Sequence, residues 1–516
     1  MEEKHKVSGS LHLARLVERA ALVAATSDSI VEPGRREQWA GTAADVDARA
    51  RRLHAAGVAP GARVAMLADN SGDFIRAFLA IARAGAIAAP LNSRLTGAEL
   101  AAQLKDADAC LLLADGAHAA AAAELAAGGA VPAAHAIGDG AGLPPLAAAS
   151  DGGDTACLED AVVCLLYTGG TTGRPKGVMH SSRSLVMNAF QSAPILGDSA
   201  AMRFVHVAPM FHIGAIAYVV AVTLHAGTHL PVPRFDPQLV LSSIGDQGAT
   251  HVTLVPTMIA RLLDHPGFGQ ARLGTLRRVI YGASPIPEVL LRRAITALPH
   301  VGFGQSYGQT ETVTISMLSD RRHALEGELA GKLKTAGQPV PGAEVRIRDP
   351  QGMLLPPGEL GEIEVRSASL MLGYWRQPEA TAATVVDGFV RTGDIGSLDA
   401  EGFLSVVDRM KDVIISGGEN IYSVEVEDAL ARHPAVEACA VIAAADPTWG
   451  EVVHAVVRLR PGSVLAADEL VAHARTHLAG YKVPRRVTFL DRPFPLSGAG
   501  KVLKRELRAE LGDAGA

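Results

Sequence analysis

The sequence predicts an α/β protein with a large N-terminal domain of mostly parallel sheets flanked by helices plus a small β subdomain, followed by a small α+β C-terminal domain. Three observations carry that prediction. Short apolar, β-leaning runs alternate with helical stretches from Leu11 to beyond Phe303, the order that builds a mostly parallel sheet. Residues 337–408 turn to glycine-punctuated text with β alternation, which suggests antiparallel strands. Beyond Lys411, helical and strand patterns alternate again over the length of one compact module.

Taken in order, Arg63 to Leu67 reads as a strand, Asp69-Asn70-Ser71 as a cap, and Asp73 to Ala84 as a helix with Phe74, Ala77, Phe78 and Ile81 on one face. The alanine-rich stretch 117–135 is compatible with packed helix. Ala161 to Leu166 is the next strand and runs into a glycine-rich loop, after which Ser184 to Gln191 is helical. In FVHVAPMFHIGAIAYVV a strand ends at Pro209, and Met210-Phe211-His212 bends before a buried helix. A histidine on so apolar a bend is by default a core residue. Thr250 to Val255, a helix, and Leu276 to Tyr281 make a second α/β unit that ends in Gly282-Ala283-Ser284-Pro285. A strand near Val301 to Phe303 leads into GQSYGQTE, 304–311. In open α/β sheets ligands bind beyond the carboxyl ends of the strands, so these loops converge on one site. Within the β subdomain, Arg391 to Asp394 places a carboxylate in a tight turn. In the last module Ser423 caps a helix to Ala431, Cys439–Ile442 and Val452–Leu459 are strands, Ala466–Leu478 is a helix, and Lys501 stands on a flexible glycine-flanked turn.

Composition narrows the function classes. At 516 residues and 48% hydrophobic content the chain is long enough for two or three domains around a large core. The 48 Lys and Arg against 54 Asp and Glu give a formal charge of −6, so no global basic field favours nucleic acid. Cys110, Cys157, Cys164 and Cys439 are scattered without CxxC spacing, as expected of a reducing cytoplasm rather than a metal cage. No signal-like segment opens the chain, and the apolar stretch Ile213–Leu224 is too short to span a bilayer. A cytoplasmic monomer or homodimer is the expectation.

The stretch from Tyr167 to His180, YTGGTTGRPKGVMH, concentrates phosphate-binding chemistry. Thr168 to Gly177 holds four glycines, three threonines and one lysine. Glycines let backbone N–H groups approach an anion, hydroxyls add donors, and Lys176 supplies a point charge. The order Lys176-Gly177-Val178 departs from the Walker A loop, which needs Gly-Lys-Ser/Thr leading into a helix. Alone, such a loop is also compatible with a plain turn.

Seven segments together resemble one family: YTGGTTGRPKG (167–177), YGASP (281–285), YGQTE (307–311), GELGEIEVRS (358–367), RTGD (391–394), DRMKDVIISGGENI (408–421) and SGAGK (497–501). In content and order they resemble the adenylate-forming (ANL) superfamily, within it the acyl-CoA synthetases or acid:CoA ligases, with luciferases and peptide-synthetase adenylation domains as relatives. The resemblance spans nearly the whole chain. It implies an N-terminal AMP-binding domain over 1–410, with the β-rich subdomain at about 337–410, and a mobile C-terminal lid over 411–516.

The implied reaction has two halves: a carboxylate attacks the α-phosphate of Mg-ATP to give acyl-AMP and pyrophosphate, then a thiol, usually coenzyme A, displaces AMP. The resemblance assigns Thr168, Gly169, Gly170, Thr171, Thr172, Gly173 and Lys176 to the β- and γ-phosphates, and Glu311 to Mg2+, a hard cation that prefers carboxylate oxygen. Thr310 would donate to the α-phosphate, and Tyr307, with Gly308, would stack on adenine beside Gly282, Ala283 and Ser284. Asp394 would accept from both ribose hydroxyls with Arg409 as a further donor. Lys501 would neutralise the reacting carboxylate and α-phosphate. Its loop reads Ser-Gly-Ala-Gly-Lys where relatives often have Ser-Gly-Lys. Lys411 matches the hinge about which the lid swings, and Gly417 would then leave room for the pantetheine arm.

For the acid, the resemblance implies a pocket lined by His212, Gly214, Ala215, Ala217, Ile280, Tyr281, Gly282, Ser306 and Val313, with His212 gating the thiol tunnel. Small Gly214 and Ala217 leave room for bulk, and no cation is placed to pair a second carboxylate. A monocarboxylic, largely apolar acid is expected, aromatic or medium-chain. The alternatives are a stand-alone adenylating enzyme that delivers to a carrier protein or amine, and a non-catalytic adenylate-binding protein.

Overall fold

The computed structural model describes residues 11–138, 159–168, 175–197, 201–497 and 501–511. Two large sheets dominate. In one, described strands run in the order Gln338–Pro339, Ser316–Leu318, Gly302–Tyr307, Arg278–Gly282, His251–Leu254, Arg203–His206, Thr228–Pro231, Asp28–Glu32 and Arg35–Gln38, parallel through the middle and antiparallel at both ends. In the other, Gly373–Tyr374, Lys176–Ser181, Val162–Thr168, Ile87–Pro90, Arg63–Leu67, Ala109–Ala114 and Ala134–Ala136 stand side by side.

Between the sheets lies the largest apolar core. It joins Val64, Met66 and Leu166 of one sheet to Phe204, Ile280 and Met317 of the other through the helices Gly72–Arg83, Ser182–Gln191 and Ile213–Leu224. The Ile213–Leu224 helix is apolar nearly all round, whereas Gly72–Arg83 and Ser182–Gln191 also bury polar side chains such as Arg76, Ser184 and Asn188. Separate cores fill the outer faces of the two sheets. Ser71 caps the Gly72–Arg83 helix by accepting from the Phe74 amide, as the cap predicts. Its neighbour Asn70 does something else: it donates to the carbonyl of Ala208 at 2.9 Å and accepts from the Met210 amide at 2.8 Å. A buried amide thereby fixes the bend that precedes His212.

The β subdomain is a five-stranded antiparallel sheet of Glu344–Arg348, Gly361–Arg366, Phe389–Leu398, Val385–Val386 and Leu404–Arg409. It is not self-contained, because the Gly373–Tyr374 strand leaves it to pair with Lys176–Ser181. Arg391 to Asp394 lies within the ten-residue Phe389–Leu398 strand, not in a tight turn. Gly393 there has φ +67° at a register shift against Gly361–Arg366, so an irregular strand does the bending expected of a turn.

After Met410–Asp412, Ile414–Ser416 belongs to a different sheet, with Glu419–Ile421, Gly450–Leu459, Val436–Asp446 and Arg486–Phe489. Helices Ser423–Ala431, Ala467–Arg475 and Lys504–Leu511 pack on it. Tyr422, not Ser423, occupies the cap of the first of these. Among the described residues Cys110, Cys164 and Cys439 are free thiols; Cys157 lies outside them. Among the described residues no helix is long and apolar enough to cross a membrane.

Candidate active site

Val162–Thr168 and Lys176–Ser181 form an antiparallel hairpin in which Thr168 faces Lys176. The lysine therefore rides on a returning strand, which the reading of strand, loop and helix omits. Gly169, Gly170, Thr171, Thr172 and Gly173 lie outside the described residues. The Lys176 ammonium sits 4.6 Å from the ring centroid of Tyr374. The strand bearing Tyr374 is fastened to the hairpin by Leu372 N–H to the Met179 carbonyl at 2.8 Å and Trp375 N–H to the Gly177 carbonyl at 2.7 Å.

Gly302–Tyr307 carries Ser306 and Tyr307 within the strand, so Gly308 begins the turn. A Cβ on Gly308 would stand 1.8 Å from the Val313 carbonyl oxygen. Only a glycine permits the motif to fold back on itself there. The Thr310 carbonyl accepts from His180 Nε2 at 2.7 Å. His180 is fully buried, and burial lowers its pKa to about 4, so the ring is neutral. A carbonyl can only accept, so Nε2 carries the proton and Nδ1 faces the Ser184 hydroxyl at 3.2 Å. Glu311 is held from two sides: Oε1 accepts from the Tyr374 hydroxyl at 2.9 Å, and its main-chain carbonyl from the Met371 amide at 2.8 Å.

Asp394, 5% exposed, is the most heavily bonded carboxylate of the site. It accepts from the Tyr307 hydroxyl at 2.7 Å and Gln309 Nε2 at 2.8 Å, and it pairs with Arg409 Nε at 3.3 Å across neighbouring strands. Burial, then the Asp394 charge, holds the Tyr307 phenol well above its ordinary range, so it remains a donor. The hydroxyl of Tyr307 thus has a partner that the stacking role alone does not supply. Gln309 was not singled out in the sequence, although it belongs to YGQTE.

Lys501 reaches this group from the C-terminal module. Its turn is closed by Ser497 N–H to the Lys501 carbonyl at 2.7 Å and Lys501 N–H to Ser497 Oγ at 3.1 Å, with Leu496 bridging Val502. Residues 498–500 lie outside the described ones. Burial lowers the Lys501 pKa to about 8, assisted by Arg409 and Lys411 and opposed by Asp394 and Glu311. These interactions put the ammonium near the carboxylates of Asp394 and Glu311. Lys411 itself is exposed in the short Met410–Asp412 helix. On one side of it Asp408, 5% exposed, accepts from the Ser423 hydroxyl at 2.7 Å and the Ser423 amide; on the other, Asp412 pairs with Arg508. Gly417 has φ +59°, and a Cβ there would meet the Trp449 ring at 2.7 Å. Its immediate reason is packing within the C-terminal module.

The predicted acid pocket is brought together only in part. Ile280 points into the core between the sheets, alongside Ala215, Ile216 and Tyr218 of the Ile213–Leu224 helix. Tyr281 points the other way, into the outer core, with its hydroxyl 2.9 Å from His323 Nε2. Successive strand residues face opposite sides, so the two cannot line one wall, and Tyr281 leaves the pocket. His212 caps the helix with its ring tilted on Phe211, and the space beside Gly214 is open. Ala217 is buried beside it, and Val313 is buried with φ +57°. Gly282 ends the Arg278–Gly282 strand, followed by Ala283 with φ +68° and Ser284. Tyr218, absent from the expected set, stacks on Phe204 at 5.1 Å, and its hydroxyl bonds Ser306, whose Oγ lies 3.5 Å from Thr314 Oγ1. Tyr218 is one helical turn from Gly214, a spacing that would have found it.

Among the described residues no group of three or more His, Cys, Asp and Glu side chains gathers as a metal cage. Glu311 offers a single carboxylate. That donor set fits magnesium, which keeps waters and shares phosphate oxygens with its nucleotide.

The profile of the AMP-binding enzyme family matches residues 12–375, and that of its C-terminal domain matches 425–501. A feruloyl-CoA synthase of an Amycolatopsis species is 40% identical over 464 residues, 90% of this chain and 91% of the relative. An amide bond synthetase from Marinactinospora thermotolerans superposes with a TM-score of 0.88 at 31% identity, covering 97% of this chain and 100% of that one. The o-succinylbenzoate CoA synthetase of Bacillus subtilis, solved with its acyl-adenylate intermediate, gives 0.83 at 31% identity, covering 96% and 97%.

Proposed function

The chain belongs to the AMP-binding enzyme family, and from that premise we propose that it is an AMP-forming acid:CoA ligase for a monocarboxylic acid. The observation that carries this reading is the meeting of Glu311, Asp394, Arg409 and Lys501 around one strand-end cleft, with Lys501 arriving from a separate module.

Asp394 and Arg409 would hold the ribose, with Tyr307 and Gln309 fixing the carboxylate until ribose hydroxyls compete for it. Lys176 and the glycine loop would hold the β- and γ-phosphates. Magnesium, bound through Glu311 and phosphate oxygens, would supply a Lewis acid that draws charge from the departing pyrophosphate. Lys501 would sit between the acid and the α-phosphate, lowering the repulsion of two anions that must touch. The acid's oxygen then bonds the α-phosphorus as the bond to pyrophosphate breaks. For the second half, rotation about Lys411 would withdraw Lys501 and bring Gly417 toward the cleft, where the thiolate attacks the acyl carbon and AMP leaves.

Coenzyme A is favoured as acceptor over an amine or a carrier protein by the 40% identity to a feruloyl-CoA synthase over 90% of the chain. An aromatic acid is favoured over a medium-chain one. The hydroxyls of Tyr218, Ser306 and Thr314 offer a polar strip to a ring substituent. Purified protein given ATP, magnesium and a panel of benzoates, cinnamates and medium-chain acids, with and without coenzyme A, tests the reading. AMP and an acyl-CoA with aryl acids are expected. Pyrophosphate release that never becomes coenzyme-A-dependent turnover would favour the amine or carrier alternative, and no pyrophosphate with any acid would favour a binding protein.

A further inference from the structure

One side chain outside the expected set touches both charged ends of the phosphate site. Tyr374 donates its hydroxyl to Glu311 Oε1 at 2.9 Å while its ring face receives the Lys176 ammonium at 4.6 Å. It is 6% exposed and locked at both ends. Its amide donates to Thr381 Oγ1 at 2.9 Å, its hydroxyl also meets the Thr384 side chain, and its two-residue strand is zipped to the Lys176 strand. The one side chain therefore touches both an ammonium and a carboxylate that have every Coulombic reason to join. No ion pair of Lys176 with Glu311 forms among the described contacts.

The consequence is chemical. A direct Lys176–Glu311 pair would occupy the cation meant for phosphate and the carboxylate meant for magnesium, and ATP would have to break it. A ring face holds an ammonium far more weakly than a carboxylate does, so the lysine stays positioned and available. A phenol donor occupies one Glu311 oxygen, Oε1.

We propose that Tyr374 is a positioning residue that keeps Lys176 and Glu311 apart and aims the Glu311 carboxylate for the magnesium of Mg-ATP. This rests on the reading of Glu311 as the metal ligand and Lys176 as a phosphate ligand. The two functions of Tyr374 reside in different parts of it: the hydroxyl serves Glu311, and the ring serves Lys176.

The test is equilibrium ATP binding by calorimetry at graded magnesium, without acid or coenzyme A. In Tyr374→Phe, which keeps the ring and fills the same space, the magnesium concentration for half-maximal ATP binding should rise about tenfold, while magnesium-free ATP binding stays within about twofold. Tyr374→Leu should weaken magnesium-free binding as well, because Lys176 loses its resting place and closes on Glu311. In a Glu311→Gln background Tyr374→Phe should add nothing. An unchanged magnesium dependence in Tyr374→Phe, or an equal loss with and without magnesium, overturns the proposal while leaving the ligase reading intact. Wild-type protein that binds no ATP under any condition overturns both.

Discussion

Replacing Lys501 by alanine separates the two half-reactions. Its ammonium stands half-buried among Arg409, Asp394, Glu311 and Lys411. Losing a preorganised charge at developing negative charge costs ~2.7–4 kcal/mol, about 10²–10³ in rate. Adenylation, followed as pyrophosphate release before one turnover completes, should fall by that factor. Thioester formation from preformed acyl-AMP should change only a few-fold, since the proposed rotation would already have withdrawn Lys501 from the cleft. The pH profile gives a second, independent reading. The working form is the protonated one, and the pKa is lowered to about 8. In the wild type, kcat/KM for adenylation should therefore be level below about pH 8 and fall about tenfold per pH unit above it. That alkaline limb should vanish in Lys501→Ala. Equal loss in both half-reactions, or an alkaline limb that survives the substitution, would refute the role given to Lys501.

His180→Leu leaves the half-buried Thr310 carbonyl without its donor, which should cost ~1–3 kcal/mol in denaturant unfolding and lower the adenylation kcat while the acid KM holds; an unchanged kcat would make the histidine purely structural. Gly308→Ala forces a Cβ to 1.8 Å from the Val313 oxygen and should abolish ATP binding and lower Tm, so normal ATP binding would contradict the close approach. Ser423→Ala removes a hydrogen bond to Asp408, worth about 1 kcal/mol, across the hinge proposed at Lys411, and should raise the thioester rate relative to adenylation about fivefold; a ratio moved the other way would contradict the contact's role in holding this orientation. His12, His180, His251 and His323 have pKa values lowered by burial to about 4, below the 6.5 of the unfolded chain. Their stability contribution is complete above about pH 6.5 and is lost as pH falls toward 4, so Tm should drop steeply over that window, and a Tm flat to pH 5 would contradict their neutral burial.

Much of the architecture is legible because it is local. Apolar periodicity finds Arg63–Leu67 residue for residue, and the Ile213–Leu224 and Ser423–Ala431 helices nearly so. The Lys176–Ser181 strand escapes because its short run of lysine, glycine, methionine, histidine and serine shows no strand pattern of its own; its pairing with Val162–Thr168 on one side and the remote Gly373–Tyr374 on the other, not propensity, makes it a strand. Motif residues announce themselves through chemistry that few other roles need, which is how Glu311, Asp394 and Lys501, side chains that the fold brings together, are singled out. Their supports do not. Tyr374, His180 and Asn70 are unremarkable letters whose work depends on tertiary contacts with Glu311, Thr310 and the 208–210 bend. Tyr281 shows the opposite error, a motif residue assigned to a pocket although the strand's two-residue period turns it away.

The central claim is that the cleft joins a carboxylate to the α-phosphate of ATP. Supplying an aryl acid labelled with ¹⁸O in its carboxylate, with ATP, magnesium and coenzyme A, and weighing the products tests it most directly. Attack by the acid and later displacement by the thiol leave one acid oxygen on phosphorus, so AMP should carry one labelled oxygen and pyrophosphate none. Turnover that yields unlabelled AMP would contradict an acyl-adenylate in this site.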